Sequence, residues 1–282
     1  MIRGIMLLSF KGNIMSKSSK YILAAGCSFT HKDFKSNIHT ELDTSYPKWP
    51  EVFGEYKNLP VENLGESGVG NDYITNIVTR RILEDHKNID TVVIGWTEIF
   101  RYVPYEKYRL NPIPTLFRPE SELTPVQEAS RPMFEYMFRE DLVNRHFNAT
   151  DIDNLFVWQV RSWVNGMWQI QELCKTFGIK FIMGKLCGSI SLGKFVQCEK
   201  SFRDKLTWTE VEWAITYSKI EELLKLDSQH YIGYPFLKGL GGHTFEYGLS
   251  GYELHPDDPH PNGEGHEFIA KEFYGKYTKV YS

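Results

Sequence analysis

The sequence predicts an α/β fold, a parallel sheet with helices on both faces. Three observations point there: short apolar runs that stop at a glycine, amphipathic stripes at three- and four-residue spacing, and the alternation of the two along the chain.

Tyr21 to Ala25 is the first apolar run, bounded by Gly26, the pattern of a strand buried on both faces. A polar loop follows to Pro47. "WPEVFGEY" then places Trp49, Val52 and Phe53 on one side of a short helix, and "PVENLG" reads as a short strand into Gly65. Ile74, Ile77, Val78 and Ile82 mark the buried face of the next helix, with Asn71 or Asp72 as its cap. Thr91, Val92, Val93 and Ile94 are continuous and β-branched, which makes the clearest strand. Strand, helix, strand in this order implies a parallel pair joined by a right-handed crossover.

Residues 101–150 fit neither pattern. Pro104, Pro112, Pro114, Pro119, Pro125 and Pro132 punctuate a stretch rich in Tyr and Arg, expected to be a lid or an insert. Order returns at Asp153, where Phe156, Val160, Trp163, Met167, Ile170, Cys174 and Phe177 form the core stripe of a long helix ended by Gly178. "IKFIMGKL" is the next strand. "TWTEVEWAITYSKIEELLKL" is a further helix capped by Thr207 or Thr209, and "HYIGYPF" a last strand. "NGEGHEFIAKEFYGKY" closes the chain as a helix with Phe268, Ile269 and Phe273 inward. One domain over 20–282 is expected, with an insert at about 101–150 and a peripheral segment at 1–19 in which Met15 is an alternative start.

Composition narrows the function classes. The 282 residues are 41% apolar, enough for a sizeable core, and carry a formal charge of −4 with no basic run, which speaks against nucleic-acid binding. No apolar run approaches the roughly 18 residues of a membrane span. The patch Ile5 to Phe10 lacks a cleavage signal, so the cytoplasm is the default compartment and a surface or particle-associated place the alternative. Cys27, Cys174, Cys187 and Cys198 form no CxxC pair and read as reduced core residues. The 15% aromatic content is either buried bulk or the wall of a cleft for sugar rings or acyl chains.

In an open parallel sheet, ligands bind outside the carboxyl ends of the strands. Gly26-Cys27-Ser28, Gly65-Glu66-Ser67-Gly68 and Gly95-Trp96-Thr97-Glu98 stand at those ends, and "HPDDPHPNGEGH" precedes the final helix. A serine needs an adjacent base to act as a nucleophile, and a carboxylate to hold that base. Asp257 and His260 offer both at D-x-x-H spacing, in a turn stiffened by Pro259 and Pro261. His255 is a rival base, and His31 reads as a turn residue. A proline-rich surface loop with an idle histidine is the plain alternative for this segment, and a metal set of His255, Asp257, Asp258 and His260, crowded by its prolines, is a further one.

These blocks, in this order, resemble the GDSL/SGNH hydrolase family: "GCSFT" with Ser28 at the nucleophile position, "NLGESGVGND" with Gly68 as an oxyanion donor, and "DDPHPNGEGHEFIA" with Asp257 and His260. The resemblance covers about 20–100 and 250–280 and implies a three-layer, flavodoxin-like α/β/α fold. It further implies a serine esterase or acetyl-hydrolase acting on a small ester or an O-acetylated glycan, with no metal or organic cofactor. The oxyanion would meet the N–H groups of Ser28 and Gly68. The sequence departs at the third block, "VVIGWTEIFR", where Thr97 stands in place of an asparagine. Thr97 or Asn71 is then the third donor, or Arg101 lies near the cleft; Asp258 is the alternate orienter of His260. The competing expectation is a catalytically weak or inactive module of the same fold that holds a glycan or serves in an assembly. The insert shapes the substrate side, packs as a lid or makes an oligomer contact.

Overall fold

Among the described residues, four parallel strands form one sheet: β1 (Tyr21–Gly26), β2 (Val61–Asn63), β3 (Ile89–Trp96) and β4 (Lys180–Lys185), in the order β2-β1-β3-β4. The computed structural model describes residues 20–98, 149–187, 225–232 and 251–282, and only the backbone over 149–160. β1 and β3 are the inner strands. Ile22, Leu23, Ala24 and Ala25 pair beside Val92, Val93 and Ile94, all fully buried, as continuous apolar runs must be when both sheet faces are covered.

Among the described residues the covering layers come from four helices: α1 (Trp49–Lys57), α2 (Asn71–Asp85), α3 (Ala149–Phe177) and α4 (Gly263–Tyr281). α1 packs on α4 and α2 on α3, which gives a three-layer α/β/α sandwich. The Trp49 and Phe273 rings stack at 4.4 Å between α1 and α4, and Phe53 meets Tyr277 edge-on at 5.9 Å. Ile74, Val78 and Ile82 of α2 and Trp163, Met167, Ile170 and Cys174 of α3 are buried on the other side.

Several boundaries differ from expectation. α2 has Gly70 at its cap position, which carries no side chain, so neither Asn71 nor Asp72 is the cap. α3 begins at Ala149, inside the range read as an insert. Positions 99–148 and 188–224 lie outside the described residues, and with them Arg101, the body of the insert, and the helix with its caps Thr207 and Thr209. The last strand is represented by a single parallel bridge from Tyr231 to Met183 on β4, with Ile232 N donating to Met183 O at 2.9 Å; 233–250 are outside the described residues. The segment read as a stiff turn is instead a small antiparallel hairpin, β5 (Glu253–His255) and β6 (Asp258–Pro261), with Pro256 and Asp257 at its tip. Among the described residues no helix is long and apolar enough to cross a membrane.

Candidate active site

Gly26, Gly95 and Gly184 lie in register across β1, β3 and β4. At Gly26 the reason is close approach: a Cβ there would stand 2.1 Å from Thr30 Oγ1 and 2.7 Å from Gly95 O. Beyond it the chain bends back at once, since Cys27 O accepts from Thr30 N at 2.8 Å and His31 N at 3.0 Å. Ser28 sits in that bend at the carboxyl end of β1, 9% exposed. β1 lies between β2 and β3, where the strand order reverses, the position at which open α/β sheets form their cleft.

The loop after β2 is tied to this bend. Asn63 Nδ2 donates to Thr30 O at 2.8 Å, Glu66 N donates to Gly26 O at 3.0 Å, and His31 Nδ1 lies 2.9 Å from Ser67 Oγ. His31 is thus a link between two loops. The same loop carries Gly68, exposed, with φ of 78°, a left-handed conformation that favours glycine.

His260 arrives from β6, 232 positions away, and its Nε2 stands 2.8 Å from Ser28 Oγ. Its Nδ1 lies 2.5 Å from Asp258 Oδ1, and its backbone N donates to the same oxygen at 3.2 Å. With Nδ1–H directed at a carboxylate, Nε2 is the lone-pair nitrogen and accepts from the serine hydroxyl. Phe34 stacks on the imidazole at 4.2 Å and Phe29 lies tilted at 5.1 Å, an apolar wall that holds the ring.

The carboxylate at His260 is Asp258, not Asp257. The D-x-x-H reading assumed a turn, whereas a strand repeats every two residues, so 258 and 260 share one face of β6 and 257 falls at the hairpin tip. Asp258 is 1% exposed, and its second oxygen accepts from Ser36 Oγ at 2.6 Å. Burial opposes its charge, but the hydrogen bonds from His260 and Ser36 and the attraction of the imidazole outweigh that and hold the carboxyl well below the usual range. Asp257 is exposed and instead faces two other imidazoles, His39 Nε2 at 2.7 Å and His255 Nδ1 in a short contact. The four residues read as an alternative metal set are therefore split, Asp258 and His260 toward Ser28, His255 and Asp257 away from it.

Asn71 is also displaced from its expected part. Its amide donates to Thr97 O at 3.4 Å and Glu98 O at 3.2 Å and accepts from Thr97 N at 3.0 Å. Both its donors are spent bracing the segment after β3, which leaves none for an oxyanion. Thr97 is fully buried, and its Oγ1 has no hydrogen-bond partner among the described residues. It stands two residues beyond Gly95, as Ser28 stands two beyond Gly26, and those glycines are paired. Cys27 is buried with its Sγ 3.4 Å from Cys187 Sγ, a packed neighbour of the bend.

Sequence reasoning missed Ser36, Phe34 and His39, which lie in a polar loop with no periodicity or motif. The only signal was distributed: a loop of that length between β1 and α1 has to cover something.

No family model and no curated protein matches the chain. Among solved structures it is similar to a lipolytic protein of the G-D-S-L family from Desulfitobacterium hafniense DCB-2, at 11% identity over 92% of this chain and 99% of that one, TM-score 0.38. It is also similar to the psychrotrophic esterase EstA from Pseudoalteromonas sp., at 9% identity over 93% and 98%, TM-score 0.39. A third is a variant of Axe2, an acetyl-xylooligosaccharide esterase from Geobacillus Stearmophilus, at 13% identity over 92% and 94%, TM-score 0.37.

Proposed function

We propose that the chain is a serine hydrolase of ester bonds, with Ser28 as nucleophile, His260 as general base and Asp258 as the group that holds the imidazole. One observation carries this reading: an unbroken line of hydrogen bonds from a buried carboxylate through His260 to a hydroxyl at the cleft end of β1. His260 Nε2 takes the proton as Ser28 Oγ attacks the ester carbonyl, and Asp258 stabilises the imidazolium that forms. The tetrahedral intermediate collapses, the ester C–O bond breaks, and His260 returns the proton to the leaving alcohol. Water, deprotonated by the same imidazole, then releases the acid and restores Ser28.

The N–H groups of Ser28 and Gly68 and the Thr97 hydroxyl are the donors we assign to the oxyanion. The Thr97 assignment rests on its unpartnered oxygen and on its place two residues beyond Gly95, matching that of Ser28 beyond the paired Gly26. The substrate class is a small ester or an O-acetylated glycan. Hydrolysis of p-nitrophenyl acetate by the full chain, reduced about 10³-fold or more in Ser28→Ala, supports the reading. Equal rates for the two proteins sink it.

The second reading, a binding module that has lost catalysis, is favoured by one feature: a short hydroxyl replaces the long amide at Thr97 while the nearby Asn71 amide is occupied. It calls for absent turnover in the same assay with retained binding of an acetylated oligosaccharide.

A further inference from the structure

His39, His255 and Asp257 are exposed or half-buried residues that the proposed hydrolytic machinery does not use. They come from two segments, the loop after β1 and the β5–β6 hairpin, 218 positions apart. Their ligand atoms all lie within 4.8 Å of one another. The rings of His39 and His255 pack with centroids 3.8 Å apart, and both present a nitrogen to the same carboxylate oxygen of Asp257.

We propose that His39 Nε2, His255 Nδ1 and Asp257 form a binding site for a divalent transition-metal ion of the zinc type. Two imidazoles and one carboxylate, with water in the fourth place, are a common donor set for that ion. Donors around tetrahedral zinc stand about 3.3 Å apart, given metal–ligand distances near 2.0–2.2 Å. The three ligand atoms already lie within 4.8 Å of one another, a range that includes that spacing. Without metal, each imidazole needs a proton between its nitrogen and Asp257; a cation replaces both protons and neutralises the carboxylate.

Two features separate this cluster from an incidental surface pair. His39 Nδ1, the nitrogen turned away from Asp257, lies 3.3 Å from Glu41 Oε1, so a carboxylate fixes the tautomer that leaves Nε2 free to ligate. The backbone of the His39 segment is itself pinned, since Ile38 N and His39 N both donate to Ser36 Oγ at 3.1 and 2.9 Å. That same hydroxyl donates to Asp258. A bound ion therefore ties the 36–41 loop to the hairpin immediately beside the carboxylate that holds His260. The site stands on its own residues, and its test reads binding rather than turnover.

The experiment uses the full chain freed of metal with a chelator and titrated calorimetrically with Zn²⁺, with Co²⁺ as a spectroscopic substitute. The expected result is one equivalent bound, a rise in Tm, and a visible cobalt spectrum of nitrogen and oxygen ligands without the thiolate charge-transfer bands that cysteine ligation produces. His255→Gln lowers affinity about 100-fold or more, and Glu41→Gln lowers it about 10-fold by loosening His39. The metal-free Tm of each variant is measured to show that it is folded, and Lys271→Gln on α4 serves as a control that binds as the parent does. No stoichiometric binding, thiolate bands, or affinity unchanged in folded His255→Gln overturns the site.

Discussion

A carboxylate shut away from water must have its oxygens filled, and Asp258 has both filled: one by His260 and one by Ser36. Asp257, one position earlier, is open to solvent and faces other imidazoles. The two neighbours therefore differ in consequence. Asp258→Asn keeps the shape but offers an amide to Nδ1, which favours the wrong tautomer, and is expected to lower kcat/KM on p-nitrophenyl acetate by about 10²–10⁴-fold. Asp257→Asn is expected to stay within about 3-fold of the parent, since only the pairing at the hairpin tip is changed. Comparable losses in the two variants, read in one assay, contradict the division of labour between them.

Among the elements, α1 and α4 are joined by an unusual cap. The first turn of α1 has no side chain of its own to accept its N–H groups, and His266 of α4 does so, its Nδ1 accepting from Trp49 N at 3.2 Å. His266 is buried, and burial first, then the charges of Lys48 and His260, pushes its pKa down to about 3. The unfolded chain holds this imidazole at about 6.5 and so takes up the proton first as pH falls. Stability is then undiminished above about pH 6.5 and declines between there and about pH 3, at up to about 1.4 kcal/mol per pH unit. Asp258, depressed in the fold, adds its own loss only below the unfolded carboxylate value of about 3.9, so the two windows separate. Urea unfolding at pH 7 and pH 5 is expected to show the decline in the parent and a flatter response in His266→Gln, which keeps an acceptor but no titration. The same slope in both proteins removes His266 from the explanation.

At the scale of the whole molecule, the sheet supplies the geometry. Strand order reverses beside β1, the place where open α/β sheets bind ligands, and the hairpin before α4 returns to bring His260 to Ser28. Much of this frame is legible in the sequence because buried parallel strands and amphipathic helices write themselves as uninterrupted apolar runs and periodic stripes; Val92 to Ile94 and the Ile74–Ile82 stripe are examples. The segments carrying Ser28 and His260 each look like ordinary turns when taken alone; the order of the blocks along the chain, and the family resemblance it carries, is what singles them out. What could not be read is register. Choosing between Asp257 and Asp258 needs the knowledge that "DPHP" is a strand rather than a turn, and four residues with two prolines do not announce one. Nor could the duty of Asn71 be read, since its partners are backbone groups 26 and 27 positions away. Ser36 meets Asp258 and His39 meets Asp257 across 222 and 218 positions, pairings that no local pattern records.

The most direct measurement is covalent capture of the hydroxyl itself. The full chain is treated with a fluorophosphonate and the modified peptide identified by mass spectrometry. A single adduct on Ser28, lost in folded His260→Gln, is the expected result, because only a hydroxyl with a base at hydrogen-bond distance attacks phosphorus at useful speed. An unmodified Ser28, under conditions that fully label a reference serine esterase, contradicts the claim that this imidazole activates this serine.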